Sequence, residues 1–308
     1  MKSTKVSNII LDILKFTILI LGAIITVMPF VWMILSSLKT ASEITAIPPT
    51  FFPKDPQWSN YQEAWSRAPF LRYFVNTIIV AVCSTLGVLI TTVLSAFAFS
   101  RLNFPGKKLV FALLMATLMI PGEMLVITNY ITVFNMKIDI GNIRSMGIHF
   151  VDALIIEISE FLNRYFLGIN TYGALIIPWI ASVFYIYLLT QFFMQVPDAI
   201  YLAAKVDKCS DWKFMWKIMV PMNKQAIVTI GILNFISSWN AFMWPLLVTN
   251  DPNMRVLSNG LTQFQSEAGS DYQLIMAASC ILVMPIIIIY LFLRKYIIEG
   301  VTRSGLKG

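Results

Sequence analysis

The chain has 308 residues, 57% of them hydrophobic and 13% charged, with a mean hydropathy of +0.73. A soluble domain carries roughly 25% charged residues, so about half the charge that clothes a water-facing surface is missing, which excludes an ordinary soluble enzyme. The net charge of +7 comes without a basic tract interleaved with aromatics, so it reads as loop charge on a membrane protein and not as a nucleic-acid footprint.

Six apolar stretches, 16–35, 75–97, 109–131, 172–193, 226–248 and 274–293, meet the length of roughly 20 residues that a membrane-crossing helix needs. They predict an all-α integral membrane protein of about six transmembrane helices, with one membrane domain spanning 1–308. The first follows Lys2, Lys5 and Lys15. It is too long for a signal peptide and no small-residue cleavage site closes it, so it is read as a true span. Residues 37–72, with Pro48-Pro49-Thr50-Phe51-Phe52-Pro53 at their centre, predict a rigid irregular cap. Trp32 reads as an interfacial anchor. In the long connection 135–170, Phe150, Leu154, Ile158, Phe161 and Leu162 recur at helical spacing, while Asp152, Glu157, Glu160 and Arg164 take other faces. That pattern predicts a short amphipathic helix, either lying on the membrane or packed against the outer mouth. Residues 249–273 form a third, polar connection. Pro29, Pro121, Pro178, Pro245 and Pro285 read as kinks and helix ends.

With the N-terminus inside, the inner segments 1–15, 100–108, 195–224 and 294–308 hold about 15 of the 23 basic residues but about 5 of the 16 acidic ones. The positive-inside tendency therefore places both termini in the cytoplasm. Cys83 and Cys280 lie in apolar runs and Cys209 in a Lys-rich loop, so no pair suits a disulfide or metal. With His149 as the only histidine, His-based zinc sites and triads have no material.

The most informative segment is the inner loop 195–222. Pro197 opens a helix with Asp198 in its first turn, where a carboxylate suits the dipole. Asp207 or Ser210 caps a second short helix carrying Trp212, Phe214 and Trp216, and Pro221 marks entry to the next span. Such a helix–turn–helix, with Ala203 and Ala204 keeping one face small, fits a groove on a cytosolic partner. The residues alone equally allow a loop that only covers helix ends. Within the spans, Tyr185, Tyr187 and Gln191 on the fourth helix and Asn234, Ser237, Trp239 and Asn240 on the fifth are candidates to line a solute path, or else to bond neighbouring helices. Glu123, after Pro121-Gly122 in an apolar run, reads as facing a partner or a wet cavity.

This loop resembles the EAA motif of ABC importer permeases: Glu-Ala-Ala, two residues, Asp-Gly-Ala, then a Phe and a Pro. Ala203, Ala204, Asp207, Phe214 and Pro221 match it. Ser37-Leu38-Lys39, Ala96-Phe97-Ala98 with Arg101, Ile120-Pro121, Asn170-Thr171-Tyr172 and Trp239-Asn240-Ala241-Phe242-Met243-Trp244-Pro245-Leu246 extend the likeness, as does the Glu299-Gly300 to Gly305-Leu306-Lys307-Gly308 ending. The chain is most similar to the second permease subunit of maltose-type and multiple-sugar importers. It departs from the motif where Leu202 replaces Glu, Lys208 replaces Gly and Cys209 replaces the second Ala. A turn needing φ > 0 costs a non-glycine residue roughly 1 kcal/mol.

The resemblance implies a type I importer permease fold and an ATPase-coupling set of Ala203, Ala204, Asp207, Lys208, Ser210 and Phe214. It further implies a multi-pass place in a bacterial or archaeal cytoplasmic membrane, among lipid. The implied partners are a second, homologous permease, two ATPase subunits and an extracellular or periplasmic solute-binding protein. No cofactor is expected in this chain. It has no GxxxxGK[ST] phosphate loop, so ATP and Mg belong to the ATPases. The implied cargo is a carbohydrate, such as an oligosaccharide. The alternatives are a glycerophosphate-type solute, which calls for Arg or Lys in the path, an ion-coupled secondary transporter, or a membrane enzyme, against which stands the lack of a nucleophile–base motif.

Overall fold

The first apolar run forms a continuous helix, α1 (Lys2–Ser37), that carries through Pro29. The computed structural model describes residues 2–136, 158, 160–266 and 269–302. These divide into two compact units, residues 1–69 with 261–285 and residues 70–260 with 286–308.

In the first unit, the α1 side chains from Leu11 to Phe30 all face outward, as befits a helix apolar on every side. Its 27-residue apolar part is about 40 Å long at 1.5 Å per residue, beyond the roughly 30 Å of a bilayer core. The cap that follows is more regular than the sequence predicts. It holds α2 (Ala41–Ile44), closed by a reciprocal Thr40–Glu43 capping box, and α3 (Ser59–Arg67). Asn60 donates to the carbonyls of Ser37 (2.8 Å) and Lys39 (2.9 Å), and Ser37 and Tyr61 share a hydroxyl bond of 2.7 Å. Lys39 is buried, its ammonium 4.5 Å from the centre of the Trp32 ring and donating to the Thr50 carbonyl. Trp32 thus packs inside the cap, also against Phe51 at 5.7 Å. Past a two-rung antiparallel bridge between Gln265–Ser266 and Gly269–Ser270, the last apolar run begins.

The second unit is organised on α4 (Phe70–Arg101), whose Tyr73, Thr77, Val80, Ser84 and Val88 form a buried stripe at helical spacing. Three of the predicted spans, the third, fourth and fifth, are broken and not single straight helices. The third is α5 (Lys107–Thr117) and α6 (Val126–Asn135), joined through a 3₁₀ turn at Gly122–Leu125 and bent by 90°. The fourth is α7 (Tyr172–Ile176), a 3₁₀ turn at Ile177–Trp179, and α8 (Val183–Met194), bent by 45°. Pro121 and Pro178 stand at these breaks, where a missing N–H and the ring clash end a helix. The loop 195–222 carries α9 (Asp198–Val206) and α10 (Asp211–Phe214), which continues through a π-helical turn, Met215–Met219, into α11 (Val220–Met222). The fifth span is likewise divided, into α12 (Lys224–Trp239) and α13 (Met243–Val248). Pro245 is tolerated in the first turn of α13, but its ring excludes helical continuity through Ala241, four residues earlier. The last run is α14 (Tyr272–Thr302), with Pro285 inside.

Among the described residues, α1, α4 and α14 are each long and apolar enough to cross a membrane, and the two bent pairs raise the number to at most five. The fifth expected span is the one that falls short, because α12 and α13 are separately too short. Of the amphipathic pattern in 135–170, Phe150, Leu154, Asp152 and Glu157 lie outside the described residues, whereas residues 158 and 160–165 are helical.

Two apolar clusters hold this unit. One gathers Val88, Val93, Ala96 and Phe97 of α4 with Leu189 and Phe193 of α8, Ala204 of α9, Phe214, Met215, Met219 and Ile230. The other joins Val80, Val133, Ala174, Leu175, Trp244, Val248 and Val256. Helix α4 approaches the break in the fourth span closely. A Cβ on Gly87 would stand 2.8 Å from the Ile180 side chain, and Thr91 donates to the Ile180 carbonyl at 2.6 Å.

Candidate functional site

The loop 195–222 is a helix–turn–helix whose signals act where the sequence puts them. Pro197 precedes α9, and Asp198 lies in its first turn. Of the two cap candidates, Ser210 begins α10, its hydroxyl accepting from the Lys213 N–H at 3.3 Å. Asp207 instead ends α9, its N–H donating to the Ala203 carbonyl at 3.1 Å. Between them Lys208 has φ 55°, the left-handed conformation that the motif's glycine adopts freely.

One side of this knob belongs to the bundle core. Phe214 is fully buried, its ring 5.0 Å from Tyr201 and 6.4 Å from Phe97 of α4. Ala204 is buried in the same cluster, so its small side chain serves closure between the two short helices. Tyr201 donates to Asp211 at 2.6 Å, and Lys205 pairs with the same oxygen at 2.8 Å. Lys205 first, then Tyr201, holds the Asp211 carboxyl below the usual carboxylate range. Burial, reinforced by Asp211, pushes the Tyr201 hydroxyl up. The opposite side is open: Leu202 is 61% and Val206 82% exposed, one helical turn apart with Ala203 between. Leu202, at the motif's Glu position, gives this face an apolar contact in place of a charge. Trp212 is also exposed, with Trp216 edge-on at 5.7 Å.

A residue whose role the sequence reading missed anchors the knob. Arg101, the last residue of α4, has a side chain 3% exposed. It donates to the Phe193 carbonyl at 2.8 Å and to the Val196 carbonyl, and it pairs with Asp198. A cation at a helix end was the available signal, but its partners lie 92 to 97 residues away.

The seven path candidates do not converge. Among the described residues, no hydrogen bond or ring contact joins any two of them. Asn234 donates to Thr85 of α4 at 3.2 Å, a helix-to-helix bond. Trp239 is buried against Phe74 (5.9 Å) and Phe235 (5.8 Å). Ser237 and Asn240 are exposed on one face of α12. Tyr185 is half-buried beside the core cluster, and Gln191 is half-buried a turn and a half further along α8. Tyr187, set against them, is partly exposed, 6.4 Å from Phe111. Glu123 is exposed at the 90° bend among exposed Met119, Met124 and Ile127.

The sequence also missed Asn76, which is fully buried. Its amide donates to the carbonyls of Asn253 (2.8 Å) and Arg255 (2.9 Å) and accepts from the Tyr172 hydroxyl at 2.7 Å. It ties the connection after α13 to α4 and α7.

The chain is similar to known transport proteins over most of its length. The chain is 29% identical over 282 residues to the sulfoquinovosyl glycerol transport system permease protein SmoH of Agrobacterium fabrum, covering 91% of this chain and 88% of that one. It is 26% identical over 302 residues to the sn-glycerol-3-phosphate transport system permease protein UgpE of Yersinia pestis, covering 96% and 97%. The fold matches a permease chain in a bacterial ABC transporter that imports the acidic polysaccharide alginate, with a TM-score of 0.72 at 21% identity over 94% and 97% of the two chains. The model of the binding-protein-dependent transport system inner membrane component matches residues 24–303. The chain therefore belongs to that family, as a predominantly helical inner-membrane permease of an ABC importer and a transport subunit in place of an enzyme.

Proposed function

We propose that the chain, acting as one permease unit over 1–308, forms half of the translocation path for a carbohydrate and docks cytosolic ATPases through the knob 198–218. The reading rests on one observation above all. The knob is core-continuous with α4 and α8 on one side and presents an unpartnered apolar face, Leu202 with Val206, on the other. A rigid knob with an apolar face converts closure of a partner into movement of the helices behind it. On this reading Ala204, Phe214 and Ser210 shape the knob, Lys208 makes its turn, and Ala203 and Asp207 border the docking face. Both termini are cytoplasmic, ATP and Mg sit on the ATPases, and a second permease and an external solute-binding protein complete the assembly.

For the path, the exposed polar face of α12, Ser237 and Asn240, is the favoured lining. Tyr185, Gln191 and Glu123 remain candidates, while Asn234 and Trp239 support α12 from behind. A carbohydrate is favoured because the segments 75–97, 172–193 and 226–248 contain no Lys or Arg. The likeness to UgpE supports a glycerophosphate as the second reading.

Purification from native membranes in mild detergent tests the assembly. A second permease and a pair of ATPases should co-elute at fixed stoichiometry, and Asp207→Lys should release the ATPases without dissociating the two permeases. Recovery of this chain alone, or as a homodimer without ATPase, overturns the mechanism. With the assembly in hand, stimulation of its ATPase by binding proteins loaded with oligosaccharides or with sn-glycerol 3-phosphate separates the two cargo readings.

A further inference from the structure

The knob is joined to α8 by only Gln195, Val196 and Pro197, between Met194 at the end of α8 and Asp198 at the start of α9. Such a short non-helical link is where a push on α9 dissipates as a pivot, since hinges are a few element-terminal residues that absorb dihedral change. Arg101 spans this link. Its guanidinium bonds the Phe193 carbonyl before the link, the Val196 carbonyl within it and the Asp198 carboxylate beyond it, all from the end of a third helix, α4.

The chemistry suits the task. The last carbonyls of α8 lack intrahelical partners and carry the negative end of the helix dipole, where a cation is favoured. Asp198 lies in the first turn of α9, where a carboxylate is favoured. One planar, five-donor fork reaches both helix ends together, which the point charge of a lysine does not. The Arg101 side chain is 3% exposed, whereas that of Asp198 is 87% exposed. The guanidinium is therefore the fixed member of the pair, and the carboxylate of α9 comes to it.

We propose that Arg101 is the positioning residue that locks the 195–197 link, so that α9 moves as one body with α4 and α8 when the knob is pushed. This rests on the reading of 198–218 as the docking knob. The route of motion is then through α4, 97 residues back in sequence, and not only through α12, which follows the knob directly.

The test uses the complex isolated from native membranes, with Cys83, Cys209 and Cys280 replaced by serine and spin labels at Leu94 on α4 and Ala199 on α9, both exposed and both outside the docking face. The distance distribution between the labels should be narrow. Arg101→Gln should at least double its width, and Arg101→Lys, which keeps the charge for Asp198 alone, should fall between. A control pair at Leu94 and Leu233, on α4 and α12, should keep its width in every variant. If Arg101→Gln fails to reach the membrane, Asp198→Ala carries the test, because it removes only the far side of the lock and should broaden the first pair alone. Unchanged width in these variants, or equal broadening of the control pair, overturns the proposal. Failure of the importer reading itself registers differently, as absence of ATPases from the wild-type preparation, and leaves the label distances readable.

Discussion

Replacing Phe214 with alanine should detach the knob from the bundle while leaving the bundle folded. The Phe214 side chain is fully buried between Phe97 of α4 and Tyr201 of α9, within a cluster that also contains Ala204 and Phe193. Truncating a buried phenylalanine costs about 3–5 kcal/mol once the cavity is included. Each tenfold change in an equilibrium is about 1.4 kcal/mol, so opening of the knob should become roughly a hundred- to a thousandfold more populated. Cleavage of a transiently open segment tracks that population when reclosing is fast. Lys205, Lys208 and Lys213 supply trypsin sites in the knob itself. In inside-out vesicles, cleavage at these lysines should accelerate by about two orders of magnitude or more in Phe214→Ala, and by less in Phe214→Leu, which refills part of the space. A cleavage rate within threefold of wild type for Phe214→Ala would refute the view that the knob is part of the core.

Lys208 holds φ 55°, so Lys208→Gly should be neutral to about 1 kcal/mol stabilising, and Lys208→Val, β-branched in a left-handed position, destabilising by more. Thermal unfolding of the purified complex reads both signs. The Asp211 carboxyl is depressed by Lys205 and Tyr201, so its contribution is present above the ordinary carboxylate pKa and fades as pH falls through the lowered value. Protection factors of the knob amides, which remove the intrinsic pH dependence of exchange, should therefore fall below about pH 4 in wild type, whereas Asp211→Asn should be less protected at neutral pH with less further change. Asn76→Ala leaves the carbonyls of Asn253 and Arg255 without their donor. At about 1–3 kcal/mol for a buried unsatisfied group, it should lower the melting temperature by several degrees, with faster exchange concentrated in 249–257.

What was legible in the sequence follows the range over which each signal acts. Helix α4 and the helices α1 and α14 are read from apolar length alone, and the knob from local cap chemistry, Pro197 before α9 and Ser210 before α10. The breaks in the third, fourth and fifth spans were announced by Pro121, Pro178 and Pro245. The bends of 90° and 45° were not, because a proline ends a helix without fixing where the next one points. Asn234 and Trp239 looked like path residues since polar or amphipathic groups in apolar runs are costly. The structure meets that cost locally, through Thr85 for the one and the rings of Phe74 and Phe235 around the other. Arg101 and Asn76 act through partners about 90 to 180 residues distant, beyond the reach of any local pattern.

The bond from Thr91 to the Ile180 carbonyl has a consequence for how the protein is made. An unpaired carbonyl in hydrocarbon costs several kcal/mol, and the break between α7 and α8 exposes one that the segment itself does not satisfy. The donor comes from α4, packed so close at Gly87 that no side chain fits there. An isolated 172–194 segment is thus a poor substrate for release from the translocon into lipid, whereas α4 is not. Since α4 is synthesised first, the donor for this carbonyl already exists when the broken helix emerges, and Thr91→Val, which removes it, should lower the yield of membrane-inserted chain, read by protease protection of 172–194.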